Sequence, residues 1–468
     1  MKILFAASEA RPFIASGGLA DVAGALPKAL CAMGEDCRVV IPLYADMKSE
    51  WVDRLHFVAN FTVRLSWRNQ YCGLFTCQEQ GVTYYFLDNE QYFKRRGLYG
   101  YYDDCERYAF FSMAVLEMLK WLDFFPDVLH TNDWQTALIP VYLRLFYSQD
   151  ARYAPIKTLF TIHNIQYQGQ FDMGLLSDVF SIPYDLRGMV EYDGCINLLK
   201  GGIEAADRVG TVSPTYAREI LDPYYGHGLD RFLRERAGKV VGILNGIDVD
   251  AYDPATDPKI FKNFTLDTLA DKTTNKMALK TLLEIDANDK PLIGIVSRMV
   301  AHKGMDLILR VLEEMLQLGF QVAVLGSGDY VYEDFFQNCR RHHREDVGVR
   351  IGFYPEIAAK IYAGADFFLM PSQSEPCGLA QMIALRYGTL PIVRLTGGLA
   401  DSIHDFGDGS GNGFTFYSYN AHDMLYAVER AGAAYRTPEF PELQKAAMRC
   451  DFSWNRSAQA YRALYASL

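Results

Sequence analysis

An α/β fold of two successive doubly wound domains is what this sequence predicts, and three observations carry the prediction. Short aliphatic runs, apolar on both faces, recur along the 468 residues, the pattern of parallel strands covered by helices on both sides. Helix-length patterns fill the intervals between them, an alternation that marks α/β domains. The rhythm breaks at the turn-rich stretch Leu244-Asn245-Gly246-Ile247-Asp248, followed by Asp253-Pro254 and Asp257-Pro258, and then restarts. Two Rossmann-like domains follow, residues 1–244 and 245–451, with a helical segment 452–468 expected to return to the first. Domains of this kind, facing across a cleft, present the carboxyl ends of their strands to it, so the cleft is the expected ligand site.

In chain order, the strand runs of the first domain are Ile3–Ala7, Cys37–Pro42, Val128–His130, Lys157–Thr161, Arg208–Val212 and Val240–Leu244. Most are aliphatic or β-branched, as buried strands require. Helical patterns cover Glu106–Trp121 and Gln135–Phe146. The second domain repeats the scheme with strands Leu292–Ser297, Gln321–Leu325, Val347–Ile351, Phe367–Met370 and Leu390–Val393, and helices Asp306–Gln317, Tyr332–Arg341 and Leu379–Tyr387. Tyr84 to Tyr108 is heavily aromatic and reads either as core or as the lining of a groove.

Half of the residues are hydrophobic and 22% are charged, so the chain can bury substantial cores. A net charge of −11 argues against nucleic acid or an anionic membrane as main partner, although local cations in a cleft can still receive an anionic small molecule. Nine scattered cysteines include no CxxC pair, and Cys72 and Cys77 lack the His/Cys partners of a zinc site. No metal or cofactor is expected, and reduced thiols suit the cytoplasm. The N-terminal apolar run is too short for a signal peptide and meets Glu9 and Arg11 at once. No stretch approaches the roughly eighteen apolar residues of a membrane span.

Chemistry concentrates where strands end and helices begin. Ser374-Glu375-Pro376-Cys377-Gly378-Leu379 places an acid and several backbone N–H groups before a helix. The acid suits sugar hydroxyls and the N–H groups suit an anion; the alternative is an ordinary loop with a helix-starting acid. Arg298 and Lys303 lie in a strand–loop–helix stretch, where two cations suit a diphosphate or simply form a solvated basic loop. His130-Thr131-Asn132-Asp133-Trp134-Gln135 and Thr161-Ile162-His163-Asn164 bring carboxylate, amide, imidazole and aromatic groups to strand ends. Such groups bind carbohydrate, but Asp133 also reads as a helix N-terminal acid and His163 as a core histidine. Ser16-Gly17-Gly18-Leu19-Ala20-Asp21 is echoed by Thr396-Gly397-Gly398-Leu399-Ala400-Asp401. Each glycine pair opens a helix, giving either close ligand approach or close packing.

These segments, in order along nearly the whole chain, resemble the bacterial glycogen synthases and plant starch synthases. The resemblance rests on SGGLADVAGALP at 16–27, HTNDWQTAL at 130–138, TIHNIQYQG at 161–169, GGIEAADRVGTVS at 201–213, LNGID at 244–248, SRMVAHKG at 297–304, EPCGLAQ at 375–381 and VRLTGGLAD at 393–401. It implies a GT-B glucosyltransferase that extends an α-1,4-glucan, such as glycogen, from ADP-glucose with retention and without a metal or other cofactor. It further implies that Arg298 and Lys303 bind the donor diphosphate and that Glu375 holds the transferred glucose. Asp133 and His163 complete the catalytic set. Ser16, Gly17, Gly18, Asn245, Cys377, Gly378, Leu379, Thr396, Gly397 and Gly398 fall to the donor. Asp21, Tyr99, Trp134 and Asn164 fall to the glucose and acceptor.

Four positions depart from the family pattern. Ala15 replaces a lysine expected to contact donor phosphates, Asp104 replaces an asparagine beside Asp103 and adds negative charge, His302 replaces a glutamine, and Ala380 replaces a threonine. Losing one phosphate contact costs about 1.5–3 kcal/mol, so weaker donor binding is expected rather than loss of activity. Rival readings are a related transferase with another nucleotide sugar and a non-catalytic glucan-binding paralogue. Retention of Arg298, Lys303, Glu375, Asp133 and His163 argues against the paralogue.

Overall fold

A computed structural model describes residues 1–122, 124–408 and 411–468. The chain forms two units: Met1–Val212 with Ala217–Ile243 and Trp454–Leu468, and Leu244–Ser453 with Ser213–Tyr216.

Among the described residues, the first unit is built on a sheet of nine strands. These are β1 (Lys2–Ala6), β2 (Asp36–Pro42), β3 (His56–Leu65), β4 (Arg68–Glu79), β5 (Val82–Asp88), β6 (Val128–Asn132), β7 (Lys157–Ile162), β8 (Arg208–Thr211) and β9 (Val240–Gly242). Their order is β9-β8-β7-β6-β1-β2-β5-β4-β3. All neighbours are parallel except the edge pairs β3–β4 and β4–β5. Ile3 to Ala7 are fully buried, as a central strand between two helical layers must be. The antiparallel edge is absent from the sequence reading, because β3 and β4 mix polar and apolar residues: Phe61, Val63 and Leu65 are buried while Thr62 and Arg64 face solvent.

The direction of winding reverses between β1 and β6, so the loops leaving these strands and β7 gather at one edge. Helix α1 (Gly18–Ala32) follows β1, and α2 (Asp104–Met118) precedes β6. The predicted helix at Gln135–Phe146 is instead a short 3-10 turn, a helical turn Leu138–Tyr142 and a π-type turn Leu143–Tyr147, with Pro140 inside. Between Tyr84 and Tyr108 the aromatics are mainly core: Tyr84, Phe86, Tyr92, Phe93 and Tyr108 are buried, whereas Tyr102 is exposed. The closing helix, Trp454–Ala466, lies in the first unit. There Tyr465 shares a hydrogen bond with His130 Nδ1 at 2.7 Å, and Arg462 pairs with Glu35 at 2.7 Å.

The second unit carries a wholly parallel sheet of β10 (Leu292–Val296), β11 (Gln321–Gly326), β12 (Val347–Ile351), β13 (Phe367–Met370), β14 (Leu390–Arg394) and β15 (Phe414–Phe416). The order is β12-β11-β10-β13-β14-β15, again reversing at its middle, between β10 and β13. Helix α3 (Met305–Gln317) buries Met305, Leu307, Ile308, Val311, Leu312 and Met315 against the sheet. Full burial of each such side chain contributes about 1.5–3 kcal/mol. The short helices α4 (Ala380–Arg386) and α5 (Gly397–Ser402) leave β13 and β14. Ser213–Tyr216 is tied into this unit by Thr215, whose N–H and hydroxyl both donate to the Asp401 carboxylate at 2.7 Å.

Candidate active site

In the first unit the candidate groups lie just beyond β1, β6 and β7. Asp133 follows β6 with φ 57° and ψ 179°, a backbone region suited to glycine that costs about 1–3 kcal/mol. Its own N–H donates to the Thr161 carbonyl at 2.9 Å, and one carboxylate oxygen accepts from His163 N–H at 2.7 Å. Strain held in place by two strand-end contacts aims the carboxyl group rather than leaving it to a helix cap. Burial pushes its pKa up to about 7, against the lowering effect of the His163 and Asn164 N–H groups.

His163 and its neighbours define a proton arrangement. The Asn132 amide donates to the Ala6 carbonyl at 3.0 Å, so its oxygen faces His163 Nε2 at 2.9 Å and must accept. Nε2 therefore carries the hydrogen and Nδ1 is a bare acceptor. Burial lowers the imidazole to about pKa 3, keeping it neutral. Such a group accepts a hydroxyl hydrogen but adds no cation. Asn164 Oδ1 accepts from Gln166 N–H at 3.0 Å. Gly169, at φ 62°, lets Trp134 lie against the chain: a Cβ there would sit 2.7 Å from the indole. Tyr99 shares a hydrogen bond with Ser8 at 2.8 Å, and Asp21 pairs with Arg11 at 2.5 Å.

Glu9 was legible in the sequence only as an argument against a leader peptide. It is buried beyond β1, where its carboxylate accepts from Ser16 N–H. Burial raises its pKa, while the Ser16 and Gly17 contacts oppose the shift. An acid directly after a buried first strand was the available signal.

In the second unit, Arg298 is exposed just beyond β10, and Lys303 lies in the turn before α3. Lys303 Nζ meets Glu375 Oε2 at 2.6 Å, and Ser372 donates to the same oxygen at 3.2 Å. Gly304 (φ 76°) makes this meeting possible, because a Cβ would stand 2.1 Å from the Pro371 carbonyl oxygen. The N–H groups of Cys377, Gly378 and Leu379 find no backbone acceptor among the described residues. The Cys377 thiol is pushed up to about 12 by burial, although the Asn245 N–H contact favours the thiolate, so it is inert at neutral pH. Asn245 Oδ1 is buried without a partner among the described residues. Gln381 donates to the Cys377 and Gly378 carbonyls and to Ser402, bracing the loop from below.

The two glycine pairs differ in surroundings. Among the described residues, and apart from chain neighbours and the local helix backbone, nothing lies within 4 Å of a Cβ built on Gly18, and one on Gly17 meets only Glu9 at 3.9 Å. Over Gly397 and Gly398 the space is taken: Cβ atoms there would come within 2.0 Å of the Glu375 and Cys377 carbonyl oxygens. This pair packs the acid loop onto the start of α5, which Thr396 precedes as its buried N-cap residue.

Two departures from the family pattern change meaning in three dimensions. Asp104 does not add unbalanced charge. It pairs at 2.5 Å with the fully buried Arg107 and accepts from Gly100 and Tyr101 N–H, while Asp103 is paired with Arg95. His302 is held low by burial, then by Lys303 and Arg298, so it adds no charge at neutral pH. Among the described residues, no cluster of three or more His, Cys, Asp or Glu is placed to hold a metal ion, and no helix is long and apolar enough to cross a membrane.

A family model described as starch synthase catalytic domain matches residues 2–235, and one described as glycosyl transferases group 1 matches residues 284–437. With the two doubly wound sheets, these matches define a glycosyltransferase of the GT-B class. The chain is 48% identical to the glycogen synthase of Geobacillus thermodenitrificans, across 100% of this chain and 98% of that protein. It is 49% identical to the glycogen synthase of Clostridium acetobutylicum, with both chains fully covered. The catalytic domain of starch synthase IV from Arabidopsis thaliana, bound to ADP and acarbose, superposes with a TM-score of 0.90 at 34% identity, covering 100% of this chain and 99% of that one. The chain belongs to the glycogen synthase and starch synthase family.

Proposed function

We propose that this protein is a glycogen synthase transferring glucose from ADP-glucose to the non-reducing 4-hydroxyl of an α-1,4-glucan, with retention of configuration. The observation that carries the reading is the Lys303–Glu375 pair beside the uncommitted N–H groups of residues 377–379. Lys303 uses one of its three N–H donors on Glu375, leaving two for a diphosphate. Arg298 adds an exposed guanidinium at the same sheet edge. Cleavage of the anomeric C–O bond puts positive charge on the sugar ring and negative charge on the departing diphosphate. Cations and N–H groups held in advance where the negative charge grows lower that barrier.

Glu375 accepts from hydroxyls of the transferred glucose. Asp133 and the bare Nδ1 of His163 accept from hydroxyls on the glucose and acceptor side. The acceptor 4-hydroxyl attacks the face that the leaving phosphate vacates and passes its proton to that phosphate, so no covalent nucleophile is needed. ADP rather than UDP is favoured by the likeness to the Arabidopsis enzyme, whose structure holds ADP. Position 15, an alanine, gives the donor no cation.

The test is Glu375→Ala, assayed for glucose transfer to glycogen from ADP-glucose and UDP-glucose and for glycogen binding. Transfer is expected to vanish while glycogen binding persists. Undiminished turnover by the variant would remove Glu375 from the mechanism, and preference for UDP-glucose in the parent would overturn the donor assignment.

A further inference from the structure

We infer that Arg11 is a donor-phosphate contact of the first unit, supplying the cation that position 15 lacks. The inference rests on the synthase reading above. Glu9 and Asp133, just beyond β1 and β6, act on each other electrostatically, and Asp21 stands in the first turn of α1, which follows β1. The stretches Ser8–Asp21, Asn132–Gln135 and His163–Gly169 contain one lysine or arginine, Arg11, and His163 is neutral. Carboxylates here repel a nucleoside diphosphate unless a cation answers them.

Arg11 is held as such a cation should be. Its N–H donates to the Ala20 carbonyl at 3.0 Å, and its own carbonyl oxygen lies where a Cβ on Gly24 would come within 2.7 Å. The backbone is thereby pressed onto α1. Among the described residues Asp21 takes only Nε, at 2.5 Å, so both terminal nitrogens of the guanidinium remain for a bidentate contact with phosphate oxygens. The Arg11 side chain is 56% exposed and that of Asp21 35%. A pair this open contributes little to stability, so the fold alone does not account for so complete a clamp. Ala15 and Ser16 are exposed nearby, and among the described residues no atom beyond the chain neighbours and the local helix backbone lies within 4 Å of a Cβ built on Gly18, which leaves room for the ligand.

The experiment compares donor KM, glucan KM, kcat, ADP affinity by calorimetry and thermal stability in the parent, Arg11→Ala, Arg11→Lys, Ala15→Lys and the double variant Arg11→Ala/Ala15→Lys. Arg11→Ala should raise donor KM and weaken ADP binding by about tenfold or more, as loss of one charged hydrogen bond does, with glucan KM and melting temperature unchanged. Arg11→Lys should recover part of the loss, and the double variant should recover most of it from the neighbouring position. Unchanged donor KM and ADP affinity in Arg11→Ala would overturn the inference, as would an equal rise in glucan KM or a fall in melting temperature that accounts for the loss. A parent that transfers no glucose and binds no ADP would sink the synthase reading and this inference together. Transfer by the parent, matched by Arg11→Ala, would sink this inference alone.

Discussion

Replacing Gly398 by alanine separates two uses of one motif. A Cβ at this position would lie 2.0 Å from the Cys377 carbonyl oxygen, 2.5 Å from its Cα and 2.6 Å from its carbonyl carbon. All three are backbone atoms, so no rotamer change makes room. To reach the 3.0 Å that real Cβ contacts tolerate, the loop carrying Glu375 must withdraw by about 1 Å, and a misplacement of that size costs about 100-fold in rate. Overpacking should also cost about 1–3 kcal/mol of stability. Gly18→Ala is the matched control from the other copy of the motif, because among the described residues its Cβ meets nothing within 4 Å beyond its chain neighbours and the local helix backbone. Initial rates of glucose incorporation into glycogen, with thermal unfolding of both variants, make the comparison. Gly398→Ala should be slow and less stable, while Gly18→Ala keeps the parent's stability and shows any effect in donor KM. The reasoning fails if Gly398→Ala works within about threefold of the parent, or if Gly18→Ala loses as much stability.

Asp104→Ala leaves the buried Arg107 without its carboxylate and should cost about 3–5 kcal/mol in denaturant unfolding of the first unit. A loss below about 1 kcal/mol, the range of an exposed pair, would show that the pair is not insulated from water. Asp133, raised to about 7 by burial, predicts two linked pH effects. As a raised acid it stabilises the fold fully below its unfolded pKa, near 3.8, and that contribution is lost as pH rises through about 7. Over the same upper range the carboxylate appears that, in the role proposed for Asp133, accepts sugar hydroxyls. Transfer should therefore rise through pH 7, and Asp133→Asn should flatten the rise at a lower rate; a parent profile level from about pH 6 to 8 would contradict this.

The sequence by itself determined the rhythm of the molecule and the chemistry it carries. Both-face apolar runs such as Ile3–Ala7 and Gln321–Leu325 mark buried parallel strands, because a strand covered on two sides has no face to leave polar. Turn chemistry and charged residues then mark the loops, and eight motifs in order name the family. The edge strand β3 and its neighbour β4 escaped because they mix polar and apolar residues instead of running apolar on both faces, and their turn at Ser66-Trp67 lacks the usual glycine or asparagine signal. Tertiary structure alone decided which charges meet. Lys303 and Glu375 are 72 residues apart in sequence, and His130 and Tyr465 are 335 apart. The Asp103-Asp104 pair reads as excess charge until Arg95 and Arg107 fold against it. Gly17-Gly18 and Gly397-Gly398 are identical in sequence, yet one pair faces open space and the other a carbonyl-lined loop. Local pattern encodes period and face; what stands opposite a residue depends on how distant segments pack, and no window of sequence contains that information.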